Sequence, residues 1–132
     1  MLHFLDLFLT VFHSAFVLLV LFGWTIPKIR KYHVTAILLT LVAWLLVGLY
    51  KGYLGYCPLT DWHWDIKRAL GETGMPSSFI EYMVEKVIGL NFPTLFIDIV
   101  TVSGLVFGIV MSLVGYVRHV RNSEKKPPQM AN

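Results

Sequence analysis

A single cysteine, Cys57, allows no internal disulfide and gives no reading of the redox compartment. The usual catalytic and cofactor signatures are missing as well. There is no phosphate-cradling glycine loop, no G-x-S-x-G and no H-E-x-x-H. Internal repeats are absent. Charge is scarce, at 14% Asp, Glu, Lys and Arg, whereas hydrophobic residues make up 56% of the 132 positions. A soluble domain carries roughly 25% charged residues, so this balance belongs to the membrane class.

The hydrophobic residues fall into three runs, Leu2–Trp24, Val34–Tyr53 and Leu95–Tyr116. A helix needs roughly 20 apolar residues to cross a hydrocarbon core about 30 Å thick, and each run qualifies. Leu2–Trp24 is apolar around its whole circumference, which argues against a soluble bundle helix with one wet face. The fold class expected is therefore all-α integral membrane: spans at about 2–24, 34–53 and 94–117 in one membrane domain, 1–121, followed by a disordered tail, 122–132. The first run is expected to remain as an anchor, because it lacks a basic leader and a small-residue cleavage pattern and carries Asp6.

Position matters more than the net charge of +3. Lys28, Arg30 and Lys31 lie between the first two runs, and Arg118, Arg121, Lys125 and Lys126 follow the third. Basic residues in short loops and beside spans stay in the cytoplasm. The expected threading puts the N-terminus and the 51–93 connection outside a bacterial inner membrane and the C-terminus in the cytoplasm. Tyr32 and Trp24 would mark the inner interface, and Tyr50, Tyr53 and Tyr56 the outer one. Nucleic acid is not an expected partner, since juxtamembrane orientation accounts for these charges.

The long connection carries two helix patterns. Thr60 is the expected N-cap of a helix at about 61–70, with Trp62, Ile66, Ala69 and Leu70 at helical spacing and Gly71 just beyond. His63 and Asp65 would lie on its wet face. Ser78-Phe79-Ile80-Glu81 fits a capping box opening a second helix at about 79–88. Both are short and amphipathic, and are expected in the outer interface. In the third span Gly104, Gly108 and Ser112 form a small-residue stripe that lets helices pack closely.

The chemistry-bearing residues are few. Asp6, Thr10 and His13 share one face of the first span, with His13 about 10 Å deeper than Asp6 at roughly 1.5 Å per residue. Thr94, Asp98 and Thr101 make a second stripe at the start of the third span. Charged groups in a bilayer face a partner or water, so the two stripes are expected to face each other, with Asp6, Thr10, His13, Asp98 and Thr101 lining a binding site. His13, Asp98, Glu81 and Cys57 are the catalytic candidates. His33 is expected near interface water or lipid phosphate. No cofactor is expected, and no metal, because no ligand spacing supports one.

Several segments resemble one bacterial family of small integral membrane proteins, catalogued as domain of unknown function 2784. They are Phe12-His13-Ser14-Ala15-Phe16-Val17, Tyr32-His33, Cys57-Pro58-Leu59-Thr60, Gly71-Glu72-Thr73-Gly74 and Phe79-Ile80-Glu81. The Cys-Pro-Leu-Thr element is the most specific of them. The family pattern has a histidine directly after Phe-Ile-Glu, where this chain has Tyr82. The resemblance implies the architecture and the choice of site residues, and it implies no substrate.

Two function classes follow. One is an accessory or partner-binding membrane protein that associates through the third span with a second copy or another membrane protein, in contact with lipid. Its polar residues would be interhelical glue. The alternative is an envelope enzyme acting on a lipid-linked or headgroup substrate at the outer leaflet, with the two short helices as a lid. Tight packing around the buried acid and imidazole favours the first reading, and an open cavity lined by them favours the second. A proton pathway would need polar residues through the inner half, where only Thr25, Thr40 and Ser112 occur.

Overall fold

The computed structural model describes residues 1–52 and 55–124, with the side chain of Glu124 left aside. The expected Tyr53 end of the second span, Lys125, Lys126 and the rest of the tail lie outside the described residues. Among those described there is no strand, and three helical stretches are long and apolar enough to cross a membrane: Leu2–Thr25, Pro27–Lys51 and Thr94–Ser123. The protein is an all-α membrane protein with shorter helices between its second and third spans.

The first span is helix α1, Leu2–Phe22, closed by a 3-10 turn at Gly23–Thr25. Its last carbonyls would be left without donors at that end. Trp24 Nε1 donates to the Leu21 carbonyl at 3.0 Å and the Thr25 hydroxyl to Phe22 at 2.7 Å, which lets the chain turn through Pro27. The second span is α2, Arg30–Val42, a wider π turn at Ala43–Val47, and α3, Gly48–Lys51. Gly52, at φ +86°, ends it in the left-handed region that glycine tolerates.

Helix α4 spans Pro58–Ala69, α5 Phe79–Ile88 and α6 Thr94–Glu124. Two expected boundaries shift. Helix α4 is capped by Cys57 rather than Thr60, because Pro58 occupies its first position, where a missing N–H costs nothing and φ is already helical. Helix α6 runs through Asn122–Glu124, which had been assigned to the tail. No proline interrupts it there, and Ser123 bonds back to the His119 carbonyl.

Helix α1 is the central element and packs on α2, α4 and α6, while α5 packs on α6. The apolar core joins Val20, Ala36, Ile37 and Leu105, with Phe16, Leu19, Leu41, Trp44 and Ile109 around them. The small stripe of α6 is spent inside the chain. A Cβ on Gly108 would stand 3.0 Å from the Val20 carbonyl oxygen, and one on Gly104 would stand 2.7 Å from Leu21 Cδ2. Ser112 donates to Nδ1 of His33 at 2.8 Å.

His33 is 0% exposed and contacts neither interface water nor lipid phosphate, correcting the expectation from its position near a helix end. Its Nε2 lies 3.0 Å from the Val20 carbonyl, which can only accept, so that nitrogen carries the hydrogen and Nδ1 accepts from Ser112. One imidazole thus bonds α1 and α6 from α2. Interhelical hydrogen bonds in membranes contribute on average about 0.6 kcal/mol each, so this is a modest but specific tie. A leucine at position 108 is expected to lower stability by about 1–3 kcal/mol through overpacking, whereas Val110→Leu on the exposed face changes it little. Thermal unfolding in mild detergent makes the comparison; equal melting for the two would mean α1 and α6 do not approach this closely.

Candidate functional site

The polar residues gather where α4 lies on the N-terminal part of α1. Helix α4 buries Thr60, His63, Trp64 and Lys67, spaced to share one face. Trp62, one of the apolar residues at helical spacing, is exposed. Of the two residues expected on the wet face, Asp65 is exposed and pairs with Arg68, whereas His63 is docked. The reason is Asp6, which gives a polar stripe something to bind.

Asp6 Oδ1 receives His63 Nε2 at 2.7 Å and Lys67 Nζ at 2.9 Å. The Thr10 hydroxyl donates to the Asp6 backbone carbonyl at 2.8 Å and stands 3.3 Å from the same His63 nitrogen. Lys67 also donates to Glu72 Oε1 at 3.1 Å. Local chain geometry delivers Glu72. Beyond α4, the Gly71 amide bonds the Arg68 carbonyl and the Glu72 amide the Lys67 carbonyl, a Schellman turn that folds Glu72 back toward its lysine. The Lys67 ammonium lies 4.9 Å from the Tyr82 ring centre, a cation–π contact.

Burial decides the protonation states here. His63 is 0% exposed, and desolvation holds its pKa below the ordinary imidazole value despite the opposing pull of Asp6. It is neutral at pH 7, with the hydrogen on Nε2. Burial alone would depress Lys67, which is 1% exposed, but its interactions with Tyr82, Asp6 and Glu72 more than reverse that. Its value ends above that of an ordinary lysine, so the ammonium stays charged. The net arrangement is one buried cation between two carboxylates.

A second pair sits deeper. His13, 4% exposed, stacks on Phe79 with ring centres 4.0 Å apart and 11° between planes, and its Nε2 is 3.6 Å from Cys57 Sγ. The Nδ1 atoms of His13 and His63 are buried and have no hydrogen-bond partner.

The expected meeting of the two polar stripes does not occur. Asp98 is exposed and has no ion pair or hydrogen bond among the described residues, and Thr101 bonds back to the Ile97 carbonyl of its own helix. The Asp6, Thr10 and His13 stripe is covered instead by α4 and the start of α5. Glu81 is a structural residue of the α5 N-terminus: its amide bonds the Ser78 hydroxyl, and its carboxylate accepts from Ser77 and from Thr94 of α6. Of the site residues singled out from the sequence, Asp6, Thr10, His13 and Cys57 lie along the docked part of α1, and His63, Lys67 and Glu72, which were not among them, join Asp6. The missed signal was the i, i+4 spacing of His63 and Lys67, which puts two donors on one face. No group of three or more His, Cys, Asp and Glu side chains among the described residues has the arrangement to hold a metal ion.

The family described as Protein of Unknown function (DUF2784) matches residues 3–117. The chain belongs to this family. No curated protein matches it, and neither does any solved structure. Within the DUF2784 chain, therefore, the site is read from its own geometry.

Removing the Asp6 charge leaves a buried ammonium short of a counter-ion, and breaking such a pair is strongly destabilising. Because Glu72 remains and Asp6 is partly exposed, Asp6→Asn is expected to cost roughly 2–3 kcal/mol and to raise amide exchange across α4, with Asp98→Asn within about 0.5 kcal/mol of the parent. Hydrogen exchange in detergent reads both, and matching profiles would reject the docking role of Asp6. The sign of the pH effect follows from His63. A histidine depressed in the folded state contributes stability that is complete above its unfolded value of 6.5 and is lost as pH falls below it. Melting temperature should drop between pH 7.5 and pH 5, with a shallower slope in His63→Gln; an unchanged slope would remove His63 as a contributor.

Proposed function

We propose that this protein is a non-catalytic accessory or partner-binding protein of the bacterial inner membrane, with its N-terminus and the α4–α5 cap outside and its C-terminus in the cytoplasm. The basic residues of the 28–31 turn and of the C-terminal end of α6 support that threading. One observation carries the non-catalytic reading: the charged groups of the site spend themselves on one another. Asp6, His63, Lys67 and Glu72 bond one another, with the imidazole and the ammonium buried. Two neighbouring cavities are not lined by Asp6, His13 or His63; one runs along Glu72–Pro76 with Tyr82, and the other is an apolar groove among α1, α5 and α6 that Thr101 alone of the expected binding residues lines. The site works as a lock that holds a polar cap on a membrane helix.

The partner is a second copy or another membrane protein. Gly104, Gly108 and Ser112 face α1 and α2, so association through the third span uses the opposite side of α6, where Val102, Val106 and Val110 are exposed at helical spacing. Native mass spectrometry after extraction in mild detergent is expected to show a stoichiometric second protein chain. A lone monomer that turns over lipid would overturn the proposal. For the threading, Ser123→Cys in a Cys57→Ser background should react with a membrane-impermeant maleimide only after the cells are lysed; labelling of intact cells would invert it. The enzyme alternative retains one specific observation, the contact between Cys57 and His13.

A further inference from the structure

Among the described residues, every ion pair lies at the cap end of the molecule. The other end is basic and has no acid to pair with. Lys28, Arg30, Lys31, Arg118 and Arg121 lie there, and the sequence holds no Asp or Glu from 7 to 60 or from 99 to 123. Arg30 is held against α6. It is half-buried, and its Nη1 donates to the Gly115 carbonyl at 3.3 Å. Glycine makes room for it, since a Cβ at 115 would stand 3.2 Å from Nη2. A guanidinium has five N–H donors, and this contact uses one.

The second observation is the apolar groove among α1, α5 and α6, with a volume of about 280 Å³. Phe22, Trp24, Ile80, Val100 and Phe107 wall it, and Phe22, Val100 and Phe107 are more than half exposed. Its polar groups are already spent. The Thr101 hydroxyl bonds the Ile97 carbonyl, and Trp24 Nε1 bonds the Leu21 carbonyl. An apolar occupant therefore leaves nothing in the wall unsatisfied.

Groove and basic end lie on one line. Val100, Phe107 and Arg118 recur at whole numbers of turns, at about 3.6 residues each, so they share one side of α6. From Phe107 to Arg118 is about 16 Å along the axis, roughly half of a hydrocarbon core about 30 Å thick. That is the depth of one leaflet. We infer that this side of the protein binds one anionic phospholipid, with its phosphate at Arg30 and Arg118 and an acyl chain running along α6 into the groove. Charge selects the headgroup. Phosphate fits a guanidinium by charge and by paired N–H···O geometry. A zwitterionic lipid would bring a further cation to a cluster that lacks any acid. Val102 and Val106 lie on a different side of α6, so lipid binding and partner binding can fail separately.

The full-length protein, stripped of lipid in mild detergent, is titrated with phosphatidylglycerol or with phosphatidylcholine of the same chains. Native mass spectrometry counts lipids per chain. One phosphatidylglycerol is expected at concentrations that leave phosphatidylcholine unbound, and equal retention of the two would overturn the inference. Arg118→Gln should raise the concentration for half occupancy about 5-fold, the weight of one basic residue at an anionic headgroup. A titration overlaying the parent would remove Arg118 from the site. Val100→Trp fills the groove and should expel the lipid, whereas Leu39→Trp at an exposed position of α2 should not. Full occupancy in folded Val100→Trp would rule out the groove. If that variant does not fold, the parent decides. A phosphatidylglycerol with a diazirine near the end of its acyl chain should crosslink within 21–24 and 100–107, and crosslinks spread evenly along α2 would count against the groove.

Discussion

The architecture at the N-terminal end of this protein depends on one carboxylate. Asp6 sits in an apolar helix, where an unpaired charge costs several kcal/mol, and its cost is offset only because α4 brings it a lysine and a histidine. The converse holds for Lys67, whose ammonium could not be buried without Asp6 and Glu72 beside it. Neither the Asp6 carboxylate in α1 nor the His63 and Lys67 donors of α4 find a partner within their own helix. Docking is thus enforced by complementarity rather than by apolar area, which would be a weak drive for a helix that could equally lie in lipid. The consequence is a cap with one register on α1, because a shift by one residue would separate all three partners at once.

At the opposite end of α1 the same logic operates without charge. His33 reaches the Val20 carbonyl and the Ser112 hydroxyl, and its β-carbon side presses on Gly23, where an added Cβ would stand 2.8 Å away. Small residues admit the imidazole, and the imidazole in turn fixes how three helices meet. Helix α1 therefore carries two polar nodes, one holding the cap and one holding the bundle. The apolar core of Val20, Ala36, Ile37 and Leu105 lies beside the second node. Polar contacts select the arrangement that dispersion then fills, as expected where lipid competes for every apolar surface.

The three spans were legible because length and hydropathy are properties of a segment by itself. The start of α5 was legible for the same reason, since a Ser-x-x-Glu cap is local. What could not be read was pairing. Asp6 and Asp98 look equivalent as acids in apolar runs, but only one of them meets a donor-bearing helix. In α4 the outward place of Asp65 was legible, but the inward turn of His63 and Lys67 was not, because it depends on Asp6 of another helix. Such a pairing is invisible until the partner helix is known.

The segments that carry the resemblance to the family acquire a common reason once the fold is in view. Pro58 sets the start of α4, so that Cys57 caps it and faces His13. Gly71, at φ +88°, allows the reversal that returns Glu72 to Lys67. Phe79 opens α5 by stacking on His13, and Glu81 ties that helix start to Thr94. These motifs are far apart in the chain and gather at the N-terminal half of α1, whereas Tyr32-His33 serves its other end. The Tyr82 ring receives Lys67 from α4 and Lys86 from its own helix, so α5 also touches the lysine that pairs with Asp6.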